Sequence, residues 1–355
     1  MKIAIAKSIL ENILVHTQPF LEKKDTSQIT SHLLFEINSN TLVIKATDYE
    51  VGLLSKTDQI RLEETGSVTA NGKKLLDIVR ILKEGEIILE TQNNMLHIQQ
   101  AHSDFKLPTY DAREFPVFPS LQEKPKIEIK SKILIESLKK ITPAADSNNP
   151  KFELNGALID IHDSHLNFVA TDTRRLALVQ VENTSKSELS IIIPKKAIIE
   201  IQKLFFDNIE IYYDKTHLLI QSDQYTFFTK LINGKFPDYN RIIPKEITNT
   251  LILPKAQMID AIKQITTISN DMKLTFDNNH ITFESLSEDN IEAKTEMEFA
   301  TGFTDPFVLA INSRYILDFL GQINNTEFTI GLNTPNLPFL LRDGNFRTIV
   351  MPIVI

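Results

Sequence analysis

The chain has 355 residues, is 42% apolar, contains no Cys and carries a formal net charge of −8. That length exceeds what one compact core uses and suits three, and the absence of thiols excludes disulfides and thiolate metal sites and fits a reducing compartment. No apolar run approaches the ~20 residues of a membrane span, and Lys2, Lys7 and Glu11 interrupt the first segment too often for a signal peptide, so a soluble, cytoplasmic protein is expected.

In chain order, helical spacing opens at residues 7–14 (KSILENIL). Alternating strands follow over 32–37 and 41–46, broken by Asn38-Ser39-Asn40. A second helix reads NGKKLLDIVRIL from Asn71, and a strand over 86–90 leads to a turn at Asn93-Asn94. The order then restarts with a helix over 131–140 and strands over 157–161 and 166–170 about Asp163-Ser164. A helix (PKKAIIEIQKLF) begins at Pro194, with strands over 209–213 and 218–221 about Asp214-Lys215. It restarts again with a helix over 255–264, a turn at Asp277-Asn278-Asn279 and a helix (NSRYILDFLGQI) from Asn312. Leu10, Leu134 and Met258 are spaced 124 residues apart. Ala46-Thr47-Asp48 is echoed by Ala170-Thr171-Asp172, and Phe115-Pro116 by Phe236-Pro237. So long a period means three copies of one domain. Each copy is α+β, two helices packed on antiparallel sheets. Pro and charge cluster between the copies, which sets the domains at 1–122, 123–248 and 249–355.

The charge is unevenly distributed. The six helical segments together carry +7, leaving −15 for the remainder. Either these are ordinary solvated helix faces, or the helices line one basic surface on an acidic molecule; local sign decides phosphate attraction. Motifs for catalysis are lacking. No GxG phosphate loop or GxSxG elbow occurs. His162 and His165 flank a hairpin tip, where polar residues gather without a metal. Asp48 and Asp172 occupy the same step of two repeats, so turn hydrogen bonding accounts for them better than paired carboxylates for hydrolysis. No cofactor or metal is implied. The final residues, Ile349-Val350-Met351-Pro352-Ile353-Val354-Ile355, either complete a core strand or form the wall of an apolar groove, and Pro352 suits an edge or lip.

Four segments carry a family resemblance: 168–177 (FVATDTRRLA), 233–239 (NGKFPDY), Phe152-Glu153-Leu154-Asn155-Gly156 and Met351-Pro352. In this order, on a threefold repeat, they make the whole chain resemble the bacterial DNA polymerase III β subunits, the sliding clamps. The resemblance implies a non-catalytic processivity factor. It implies three DNA-clamp domains per chain and a head-to-tail homodimer closed into a six-domain ring around double-stranded DNA, with helices lining the hole. Phosphate contacts without base readout cost much the same at every register and so permit sliding. By position, the DNA-facing residues are Lys24, Lys73, Asn148, Lys196 and Lys273; Lys273 stands in for an Arg of a segment shortened here to 270–273. Partners are the DNA polymerase III catalytic subunit, the clamp loader, and other polymerases and repair proteins, each binding through an extended peptide. The pocket for that peptide maps onto Leu154, Thr171, Thr173, Arg174, Arg175, Leu176, Pro237, Arg241, Ile242, Ile349, Met351, Pro352, Ile353, Val354 and Ile355. The dimer seam maps onto Lys74, Phe105 and Leu107 against Ile265, Ile268 and the acidic stretch 288–298, although Phe105 and Leu107 also suit a first-domain core. Three departures from the family pattern stand out. Phe152-Glu153 replaces a Tyr pair, and Glu153 repels phosphate. Thr173-Arg174 replaces Gly-His, and Ile353-Val354-Ile355 replaces Met-Arg-Leu.

Overall fold

The structure, a computed structural model, describes residues 1–183, 188–287 and 291–354. Six α-helices occupy the expected segments among these residues: α1 (Lys7–Thr17), α2 (Gly72–Ile81), α3 (Ser131–Ile141), α4 (Lys195–Leu204), α5 (Lys255–Thr266) and α6 (Ser313–Leu320). The 124-residue period is physical: Leu10, Leu134 and Met258 are all buried, on α1, α3 and α5. Asn71 and Asn312 cap α2 and α6, their side-chain oxygens accepting from the amides of Lys74 at 3.0 Å and Arg314 at 3.2 Å, which satisfies donors a helix start leaves unpaired.

Two compact units organise the chain, residues 1–132 with 199–231, and residues 133–198 with 232–355. The first contains a five-stranded antiparallel sheet in the order Ile60–Glu64, Lys2–Ala6, Glu86–Gln92, Met95–Gln100 and Ser103–Pro108. Its seven-stranded sheet runs Glu210–Tyr213, His217–Gln221, Tyr225–Lys230, Val51–Thr57, Thr41–Thr47, His32–Asn38 and Gly66–Asn71. The second unit has an eight-stranded sheet: Leu189–Pro194, Gly156–Ile161, His165–Thr171, Arg175–Glu182, Phe346–Val350, Phe339–Asp343, Glu327–Leu332 and Asn249–Pro254. A four-stranded sheet completes it, in the order Lys294–Glu298, His280–Ser285, Asp271–Phe276 and Phe307–Asn312.

The hairpin turns fall where Asn, Asp and Ser cluster. Ser39, Asn93 and Asn94 take φ of 57°, 50° and 58°, the left-handed values that tight hairpin turns need and that Asn tolerates. One feature departs from three self-contained repeats: the two large sheets are shared between repeats. Strand Val51–Thr57 pairs with Tyr225–Lys230, and Arg175–Glu182 pairs with Phe346–Val350. Sharing removes a free edge that each repeat alone would expose. Alternation along a strand reports which face is buried but not which neighbour takes its edge.

Candidate peptide-binding site and charged surfaces

The Ala-Thr-Asp motif builds the same turn twice. Asp172 Oδ1 accepts from the amides of Arg174 (3.0 Å) and Arg175 (2.9 Å), as Asp48 Oδ1 does from Glu50 and Val51 at 3.0 Å each. The Thr171 hydroxyl donates to Arg175 O at 2.6 Å, and that of Thr47 to Val51 O at 2.8 Å. Each Thr oxygen also accepts the amide two residues on, from Thr173 and from Tyr49. These bonds hold Thr173 at φ 75° and Tyr49 at φ 74°. The carboxylates are turn staples, as repeat equivalence implies, and the left-handed value explains why a family Gly suits the place of Thr173.

Leu176 follows this turn and pairs with Ile349 of the neighbouring strand. Both belong to a buried apolar cluster with Leu154, Leu158, Val169, Ile232, Phe236 and Tyr239, against which Ile243 and Leu340 pack. The Tyr239 hydroxyl donates to Asp160 Oδ2 at 2.8 Å and accepts from Asn167 Nδ2 at 2.8 Å, and burial pushes its pKa up to about 12. This bonding anchors the short turn Tyr239–Arg241, on which Arg241 is exposed and paired to Asp238 at 2.8 Å. Above the buried base stand exposed or half-buried groups: Thr173, Arg174, Pro237, Ile242, Met351, Pro352, Ile353 and Val354. The core-strand reading of the C-terminus holds for its first residues. Ile349 and Val350 finish a core strand, whereas Met351 and Val354 are 38% and 79% exposed. The tail is held by two backbone bonds, Met351 N to Arg174 O at 2.8 Å and Ile353 N to Ala310 O at 2.7 Å. Ile355 lies outside the described residues.

Arg175, mapped to the pocket lining, faces inward. Its side chain is 5% exposed. Nε donates to Asp172 Oδ2 at 3.0 Å, Nη1 to Asp318 Oδ2 at 2.7 Å and Nη2 to Pro143 O, and the guanidinium lies 4.6 Å from the Tyr315 ring centroid. Nearby, burial first and the Arg175 charge second lower the Lys195 pKa. Of the residues mapped to the pocket, Leu154, Leu176 and Ile349 belong to the buried cluster, while sequence reading did not single out Asp160, Asn167, Tyr315 or Asp318. Each is a polar residue meeting partners far away in the chain, which leaves no local pattern to read. His162 and His165 stand with ring centroids 4.8 Å apart, His162 bonded to Asp160 at 2.9 Å and His165 to Ser164 at 3.0 Å.

The mapped DNA-facing residues sit on several elements. Lys73 and Lys196 are exposed in the first turns of α2 and α4, Lys24 and Asn148 on exposed loops. Lys273 lies on strand Asp271–Phe276, paired with Glu284 at 2.8 Å. Phe152 is 65% exposed beside Glu153. Of the seam residues, Leu107 and Ile265 are buried within the chain, while Lys74, Phe105 and Ile268 retain surface. Phe105 is on Ser103–Pro108, an edge strand of the five-stranded sheet; Lys294–Glu298 is an edge of the four-stranded one. Residues 288–290 of the acidic stretch are outside the described residues.

The fold is one of repeated α+β domains in which a buried apolar cluster lies beside the exposed 173–174 turn and C-terminal tail, and comparison gives its family. The N-terminal, central and C-terminal domains of the DNA polymerase III beta subunit match residues 1–119, 128–238 and 240–354. The beta sliding clamp of Helicobacter pylori strain J99 is 38% identical over 374 residues, covering all of both chains; that of Vibrio cholerae is 26% identical over 367 residues, covering 99% of this chain and all of the relative. The crystal structure of the Helicobacter pylori beta clamp bound to a DNA ligase peptide superposes with a TM-score of 0.94 at 39% identity, covering both chains fully. The Pseudomonas aeruginosa DNA polymerase III subunit beta gives 0.92 at 24%, again with full coverage, and shares the fold. The chain therefore belongs to the DNA polymerase III beta subunit family, the beta sliding clamps. It is a processivity factor with a peptide-binding pocket and no catalytic activity of its own.

Proposed function

We propose that two copies of this chain close head to tail into a ring of six domains, bounded at 1–122, 123–248 and 249–355, that encircles double-stranded DNA in the cytoplasm. The observation that carries the pairing is the two open sheet edges, Ser103–Pro108 and Lys294–Glu298. The first carries Lys106 beside Asp104, the second Glu296 and Glu298 beside Lys294, so an edge-to-edge joint between copies pairs open backbone groups and brings unlike charges within reach of one another. Lys74, Phe105 and Ile268 meet at this seam, with Leu107 and Ile265 backing it from within. Lys24, Lys73, Asn148, Lys196 and Lys273 face the duplex, and Glu153 trims the contact beside Asn148.

The pocket takes an extended peptide whose apolar side chains rest on Leu154, Thr171, Leu176 and Ile349, while Thr173, Arg174, Pro237, Arg241, Ile242 and residues 351–355 form the rim. Polymerase, clamp loader and repair proteins compete for it; the ligase peptide on the Helicobacter pylori clamp supports a repair partner. The test is retention on nicked circular DNA after loading, before and after linearisation. Retention on circles with release from linear ends establishes encirclement. Equal retention on both means surface binding and defeats the ring.

A further inference from the structure

The peptide pocket and α6 are joined through one buried cation. We propose that Arg175 is a positioning residue for the pocket: with Asp318 of α6 it fixes the 171–175 turn, and so sets peptide affinity without touching peptide. This rests on the pocket reading above. The guanidinium is turned inward, its Nε, Nη1 and Nη2 donating to Asp172 Oδ2, Asp318 Oδ2 and Pro143 O beside the Tyr315 face, and at 5% exposure the side chain is out of reach of a ligand at the rim. The turn it holds carries Thr173 and Arg174, and Arg174 O receives the Met351 amide at 2.8 Å. Rim and tail thus hang on a turn whose conformation is locked from below. Asp172 and the Thr171 hydroxyl oxygen staple the turn's amides; Asp318 adds the tie to α6. On α6 the only other ion pair described for Asp318 is with Arg314, longer at 3.8 Å, so the shorter bond to Arg175 is the one that bears on the turn. A fork held at several points is not replaceable by a point charge.

The test is fluorescence anisotropy with a labelled DNA ligase peptide of the kind bound by the Helicobacter pylori clamp, on the full-length chain. Asp318→Asn keeps the side chain's shape and removes its charge; it should weaken binding on the order of tenfold, a common size for coupling between sites. Asp318→Glu should restore most of that loss, and Arg175→Lys should show the same loss as Asp318→Asn. Thermal unfolding of each variant separates position from folding: the affinity loss must appear with the transition still cooperative and within a few degrees of the parent. Unchanged affinity for Asp318→Asn, or a loss that tracks unfolding and is not recovered by Glu, overturns the proposal. If the unaltered chain fails to bind the peptide, the pocket reading itself falls and the positioning role falls with it.

Discussion

Deleting residues 351–355 separates the two roles of the C-terminus. The strand before them stays intact: Phe346, Ile349 and Val350 are each at most 1% exposed and are paired on both sides, to Arg175–Glu182 and to Phe339–Asp343. What the deletion removes is two backbone hydrogen bonds, from Met351 and Ile353, worth about 1 kcal/mol each in net terms. Pro352 and Ile353 are half-buried, and losing that partial apolar burial adds about 1 kcal/mol. The expected cost is about 3 kcal/mol, read from urea unfolding at constant slope. The dimer should persist by sedimentation, because the tail bonds to Ala310 on Phe307–Asn312, the opposite edge of the four-stranded sheet from the proposed seam strand Lys294–Glu298. Affinity for a clamp-binding peptide should fall beyond measurement, since half the rim is gone. Loss of the dimer, or a truncated protein that binds peptide normally, would refute this division of labour.

Thr173→Gly should raise stability by about 0.5–1 kcal/mol: a β-branched residue at φ 75° stores about 1–3 kcal/mol of strain, and glycine's unfolded-state entropy offsets part of it. A lower urea midpoint would mean the Thr173 side chain makes a stabilising contact. His32 is buried and its pKa is pushed down by that burial to about 4. The unfolded chain, titrating at about 6.5, therefore binds the proton first; stability is full above about pH 6.5 and falls by about 2 kcal/mol on going to pH 5. His32→Gln should flatten the profile in that window, and an unchanged slope would assign the loss elsewhere. Gly52→Ala places a Cβ 2.2 Å from Phe228 Cε1 and should cost about 1–3 kcal/mol; Phe228→Leu in the same protein should recover part, and strict additivity in this cycle would deny the contact.

The sequence made legible whatever is periodic. Apolar spacing placed all six helices, and paired Asn or Asp residues placed the hairpins, because local chemistry decides both. The Ala-Thr-Asp repeat even told the role of Asp48 and Asp172, since one staple recurring at one step needs no long-range partner. Arg175 shows the limit. Its position beside Leu176 suggests a pocket residue, but its side chain turns to Asp318, 143 residues away. Tyr239 is similar: nothing in FPDY announces a buried hydroxyl shared by Asp160 and Asn167. The sharing of sheets between repeats was hidden for the same reason, as strand pairing is a long-range choice.

The proposed pocket lies at one junction and not at its repeat-equivalent, and a few side chains distinguish the two. Backbone and register are the same at both: Lys230 N bonds Glu50 O at 2.8 Å as Met351 N bonds Arg174 O at 2.8 Å, and Gly52 pairs with Phe228 as Leu176 pairs with Ile349. In the earlier junction the Phe228 ring occupies the space a side chain at position 52 would need and meets Phe118 edge-on at 4.9 Å. Lys230 and Glu50 close over it as an ion pair at 3.1 Å. In the later junction the aliphatic pair Leu176 and Ile349 takes the place of the glycine and the ring, and the positions of that ion pair hold Met351 and Arg174, a thioether and a cation, which do not neutralise each other. An aromatic plug under a salt bridge is a finished core. At the later junction Met351 and Val354 remain 38% and 79% exposed, apolar area that a bound peptide would take out of water.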